Sequence, residues 1–141
     1  MFKDFSVYNP ANDVERGIIE ISFIKEKRLL FSIYRPPSQF EKYFFYEIGK
    51  GLDFYSSKYE SICLIGDFNC EPKENIISDF MDCYNLSNLV KSPTCFKSDS
   101  PRCIDLILTN RKRSFQNTVT IHTGLSDFHA MMVTVLRYRW I

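Results

Sequence analysis

Apolar and polar positions follow different rhythms along this chain, and each change of rhythm marks an element. From 17 to 24, β-branched residues alternate with others, and 28–34 repeats the pattern after the charged turn Lys25-Glu26-Lys27. Two alternating runs across a short polar turn predict a β-hairpin. Pro36 and Pro37 stop the second strand. The period then lengthens: Phe40, Phe44, Ile48, Leu52 and Tyr55 recur at helical spacing. Ser38 followed by Glu41 predicts a capping box at the start of that helix. Gly49 and Gly51 each weaken it by about 1 kcal/mol relative to Ala, so burial against a sheet must compensate.

The run 62–65 is continuously apolar and ends at Gly66, which predicts a buried strand with a turn at its end. Pro72 opens a second helix over 73–84, with Ile76, Ile77, Phe80, Met81 and Tyr84 on its apolar face. Residues 85–100 read as loop, with a short strand near 94–96. Strands follow over 102–109, 115–122 and 130–136, the last running toward Trp140. Residues 1–16 are polar and irregular. Helices and strands alternate early and strands dominate later, which predicts an α/β or α+β layered sandwich. The 104–108 segment, like 62–65, is apolar enough to be an interior strand.

Composition narrows the picture. At 141 residues the chain is one domain or part of one, and a hydrophobic share of 45% can supply a core. A net charge of +1 is no nucleic-acid signature in itself, so contact with a polyanion rests on local basic patches. Those at 97–102 and 111–113 fall in loops, where solvated charge is the commoner meaning. The five cysteines are odd in number and lack C-x-x-C spacing. They read as reduced thiols of an intracellular, cytoplasmic or nuclear protein, with no structural zinc site announced by spacing. No run is long enough to span a membrane, and the amino terminus has no apolar signal segment.

Asp67 and Asn69 follow the buried strand at i and i+2, so extended geometry points both side chains the same way. A carboxylate and a carboxamide there can hold a water or a metal; an Asx-type turn accounts for them equally. Asp105 lies in an apolar strand, where an unpaired charge costs several kcal/mol, so it needs a partner. Arg102 is one candidate. Tyr34 ends a strand and reads by itself as a core aromatic.

Taken together, Ile33-Tyr34-Arg35-Pro36-Pro37, Gly66-Asp67-Phe68-Asn69, Pro93-Thr94-Cys95-Phe96, Ile104-Asp105-Leu106-Ile107-Leu108 and Leu125-Ser126-Asp127 stand in an order and spacing that resembles the endonuclease/exonuclease/phosphatase superfamily. The likeness is greatest to the apurinic-type endonuclease domain of non-LTR retrotransposons and covers about residues 17–137. It implies a DNase I-like fold: two sheets face to face with outer helices. It also implies Mg²⁺- or Mn²⁺-assisted phosphodiester hydrolysis, DNA as the partner, and a reverse transcriptase domain in a longer polyprotein. In that family's terms Asp67 takes a proton from the attacking water, and Asn69 orients the water or the phosphate. Tyr34 offers its hydroxyl to the phosphate, Asp127 contacts the metal, and Asp105 holds a histidine.

Two departures qualify this. The family's histidine directly follows Ser-Asp, whereas here the order is Ser126-Asp127-Phe128-His129. In an extended chain a shift of one residue turns His129 to the opposite face, whereas a bulge would re-aim it, and His129 is the candidate for the catalytic histidine's role. The family's amino-terminal Asn and metal-binding Glu also have no counterpart, so the chain reads as the carboxyl-terminal part of the domain, with nicking activity weakened or lost. The alternatives are a non-catalytic remnant or nucleic-acid-binding module, and a phosphatase or lipid phosphodiesterase of the same superfamily, whose motif phrasing lies further away. His122 matches no motif and reads as a surface histidine.

Overall fold

The computed structural model describes residues 2–4, 15–22 and 26–137. Six strands form the main sheet: β1 (Phe2–Asp4), β2 (Glu15–Ser22), β3 (Lys27–Tyr34), β4 (Ser61–Asp67), β5 (Ser87–Asn88) and β6 (Asp105–Thr109), in the order β1-β2-β3-β4-β6-β5. Helix α1 (Glu41–Ser56) crosses from β3 to its parallel neighbour β4, and α2 (Asn75–Cys83) follows β4. The other pairings are antiparallel. Strands β7 (Phe115–Ile121) and β8 (Met131–Leu136) form a separate antiparallel sheet. The layered α/β arrangement expected from the alternation of elements is the one observed.

Strand alternation sends every second side chain to opposite faces. Leu29, Phe31, Ile33, Ile62, Leu64, Leu106 and Leu108 meet Phe44, Phe45, Ile48 and Leu52 of α1 and Ile77 and Phe80 of α2. On the other face Cys63, Ile107 and Leu30 pack with Ile65, Phe115 and Met132, so the small sheet covers this side. That is why β4 and β6 read as continuous apolar runs: both of their faces are covered. The second interface is looser. A cavity of about 190 Å³ remains there, lined by Leu30, Cys63, Ile65 and Ile107 against Phe115 and Leu136.

Several boundaries differ from the sequence reading. The capping box does not form: α1 starts after Phe40 with no side-chain cap. Ser38 sits in the turn closed by Gln39 N–H to Pro36 O (3.0 Å), and Glu41 instead pairs with Arg35 (3.2 Å). Gly66 makes no turn; it lies inside β4 at φ +150°, where an added Cβ would stand 1.8 Å from the Ile33 carbonyl oxygen. Its role is close approach of β4 to β3. Gly49 likewise makes room for the Tyr84 hydroxyl, 2.7 Å from where a Cβ would be. Strand β6 begins at Asp105, not 102. Cys95 forms only isolated bridges, to Arg102 and His129, in place of a strand at 94–96. Short strands β1 and β5, too brief to show periodicity, were not legible. Residues 23–25 and Trp140 lie outside the described residues.

Candidate active site

The site grows from one row of the main sheet. Tyr34 is the register partner of Asp67, and Asp67 is the register partner of Asp105. Directly opposed residues on neighbouring strands project from the same face. The row therefore stands on the side covered by the small sheet, beyond the apolar residues Ile65 and Ile107. Tyr34 is 41% exposed, so it is no core aromatic. Asp105 is the first residue of β6, at the rim of the apolar run and not within it.

Asp105 finds its partner in His129: Nδ1 lies 3.3 Å from Oδ2. Arg102 is committed elsewhere, to Glu74 (3.4 Å) and Glu71 (3.9 Å). The one-residue shift does not turn His129 away, because the chain before it is bent and not extended. Ser126 Oγ accepts from the backbone N–H groups of Phe128 (3.5 Å) and His129 (3.2 Å), closing a tight turn. The parity argument fails in such a turn, since it holds only for pleated chain. Phe128 is half exposed.

Asn69 corrects a second parity argument. Its φ of +50° puts it in the left-handed region, which Asn tolerates. Its side chain therefore does not run parallel to that of Asp67. Its backbone N–H donates to Asp67 Oδ1 (2.9 Å), an Asx turn, and its Nδ2 donates to the Arg35 carbonyl (2.7 Å). The Asx turn and the polar site coexist in the same residues. Burial raises Asp67 above the ordinary carboxylate range. The Asn69 N–H opposes this, the charge of Asp105 adds to it, and the charges of His129 and Arg35 lower it. Asp127 is exposed, and its side chain makes no hydrogen bond or ion pair with a described residue.

Two supporting residues escaped the sequence reading. Arg35 is 4% exposed and acts as a fork under the loop after β4. Its Nε donates to Phe68 O (2.7 Å), and its Nη atoms donate to Asn69 O (2.8 Å) and Gln39 O (2.8 Å). Thr94 is fully buried, and its Oγ1 accepts from Ile104 N (3.2 Å) and Asp105 N (3.0 Å). Its carbonyl accepts from Ala130 N (2.8 Å), so one residue ties the start of β6 to the His129 loop. A basic residue before two prolines and a Thr after a proline were visible, but their partners lie 4–34 positions away in sequence.

Two carboxylates side by side, one raised in part by the other's charge, form a donor set that suits a hard cation. Mg²⁺ often takes only one or two protein carboxylates and keeps water in its other positions. Among the described residues no group of three or more His, Cys, Asp or Glu side chains could enclose a metal ion. The residues thus fit an open, largely hydrated ion, not a protein cage. No helix among the described residues is long and apolar enough to cross a membrane.

No protein-family model matches the chain, and no curated sequence matches it. Solved structures do. The endonuclease domain of TRAS1, a telomere-specific non-LTR retrotransposon, superposes with a TM-score of 0.73 at 14% identity over 86% of this chain. An endonuclease/exonuclease/phosphatase family protein from Leptotrichia buccalis gives 0.65 at 18% identity over 87%, and the Neisseria 3′ phosphatase NExo, solved with a product DNA hairpin, gives 0.68 at 11% over 97%. The chain spans 61%, 53% and 70% of those three chains. At these identities the likeness is one of fold: this chain folds as the endonuclease/exonuclease/phosphatase proteins do.

Proposed function

We propose that this chain is part of a metal-dependent phosphodiesterase acting on DNA, of non-LTR retrotransposon descent, with its activity reduced. The observation that supports it most is the row Tyr34–Asp67–Asp105, closed by His129 on Asp105. In this reading Asp67 accepts the proton of the attacking water, which its raised pKa favours. Asp105 accepts from His129 Nδ1–H, which leaves Nε2 to face the substrate phosphate once protonated, and the Tyr34 hydroxyl donates to the same phosphate. Asn69 holds the loop that carries the water. Asp127, exposed and with no partner among the described residues, would offer the ion a carboxylate from its loop; it does not complete a three-carboxylate group with Asp67 and Asp105. Such an ion lowers the pKa of bound water and neutralises phosphate charge. Reverse transcriptase as a neighbouring domain belongs to the same proposal.

The reduction rests on the ligand set that the resemblance leaves: no residue of this sequence matches the family's metal-binding Glu. A non-catalytic remnant is the second reading, favoured by that same observation. Nicking of supercoiled DNA distinguishes them. The expected result is slow, Mg²⁺-dependent nicking that is lost in Asp67→Ala and falls about 10²–10³-fold in His129→Ala. Phe128→His should change little, because His129 already fills the place beside Asp105. Nicking that survives Asp67→Ala would overturn the assignment, and none at all from the wild type would establish the remnant.

A further inference from the structure

The His129 ring has a second neighbour. Cys95 Sγ lies 3.8 Å from His129 Nε2, on the side of the ring away from Asp105. Thiol, imidazole and carboxylate thus form one line: Cys95, His129, Asp105. The backbone holds it in place, since Cys95 bridges His129 and Phe96 N–H donates to Phe128 O (2.7 Å). No sequence spacing suggests it, because Cys95 and His129 are separated by 34 residues.

We infer that Cys95 and His129 form a binding site for a soft or borderline divalent metal, Zn²⁺ in the first place. The distance suits it. With Zn–S of about 2.3 Å and Zn–N of about 2.0–2.1 Å, a 3.8 Å sulfur–nitrogen separation corresponds to a bond angle of about 120° at the metal. That is near the tetrahedral value. The Asp105 carboxylate on Nδ1 completes a carboxylate–histidine–metal relay, which fixes the tautomer so that Nε2 carries a free lone pair. The His129 side chain is 40% exposed, so an ion approaches from the imidazole side, while Cys95 itself is buried. With two protein ligands the site is an acquired, reversible one, not a folding element. The thiol proton leaves to solvent as the S–Zn bond forms. An occupied site takes Nε2 from the phosphate, so zinc inhibits hydrolysis. That consequence rests on the function proposed above; the binding itself does not.

The test is titration with Co²⁺ as a spectroscopic stand-in, in a Cys83→Ser background because Cys83 is an exposed free thiol. The expected result is a sulfur-to-cobalt charge-transfer band that saturates at one equivalent and is displaced by Zn²⁺. Cys95→Ser should abolish the band, and His129→Gln should reduce affinity at least tenfold. Asp105→Asn should weaken binding about 10–100-fold, as loss of an outer carboxylate does. Far-ultraviolet circular dichroism of each variant confirms that it is folded. As a second reading, Zn²⁺ should slow alkylation of Cys95 by iodoacetamide, mapped by mass spectrometry. A band that persists in Cys95→Ser, or affinity unchanged in His129→Gln, overturns the site whether or not the chain nicks DNA.

Discussion

Replacing Arg35 by Met keeps the length of the side chain and removes every donor. Three backbone carbonyls, those of Phe68, Asn69 and Gln39, then lose a charged partner at 2.7–2.8 Å. A hydrogen bond to a charged group contributes about 1.5–3 kcal/mol, but losses at one site are not additive. Asn69 and Gln39 are half-buried and can recruit water, whereas Phe68 is fully buried. The expected loss is therefore about 3–5 kcal/mol, a large part of the roughly 5–15 kcal/mol that holds a domain together. The Glu41 carboxylate is 27% exposed, so its ion pair with Arg35 adds less than about 1 kcal/mol. Arg35→Lys keeps the charge but not the planar fork, and should lose about half as much as Arg35→Met. Urea unfolding followed by circular dichroism measures all three variants. If Glu41→Gln proved as damaging as Arg35→Met, or Arg35→Met cost under about 0.5 kcal/mol, the fork would not be what holds the loop.

The pH dependence of stability should carry the mark of Asp67. Its folded pKa is raised, so between the ordinary carboxylate value and that raised value the native state binds more protons than the unfolded one. Stability then falls as pH rises through this window and stays lower above it. Asp67→Asn should be more stable than wild type at pH 7 and lack that slope; a less stable variant would contradict the burial argument. Thr94→Val leaves the N–H groups of Ile104 and Asp105 without their acceptor and should cost about 2–4 kcal/mol, while Thr94→Ser costs about 1 or less. Gly66→Ala drives a Cβ into the Ile33 carbonyl, an immovable backbone atom, and should cost more than about 3 kcal/mol in the same urea assay.

How much of this was legible in the chain depends on the range of the interaction concerned. The strands 62–65 and 104–108, the helices and the β2–β3 hairpin follow from periodicity, because burial of one face or two is written locally in which residues are apolar. Motif order likewise indicated Tyr34, Asp67 and Asp105. What periodicity could not supply is register: that these three become adjacent depends on β3, β4 and β6 pairing side by side. Where the backbone leaves regular geometry, local parity rules fail. The turn at 126–129 brings His129 to Asp105, and the left-handed Asn69 turns its carboxamide toward the Arg35 carbonyl. Arg35 and Thr94 act through donors and acceptors distant in sequence, and Cys95 meets His129 only because two loops cross. The sequence by itself determined the layers and the residue types that could carry chemistry. Tertiary structure alone decided which of them touch, since hydrogen-bond partners across loops depend on three-dimensional closure and leave no period in the chain.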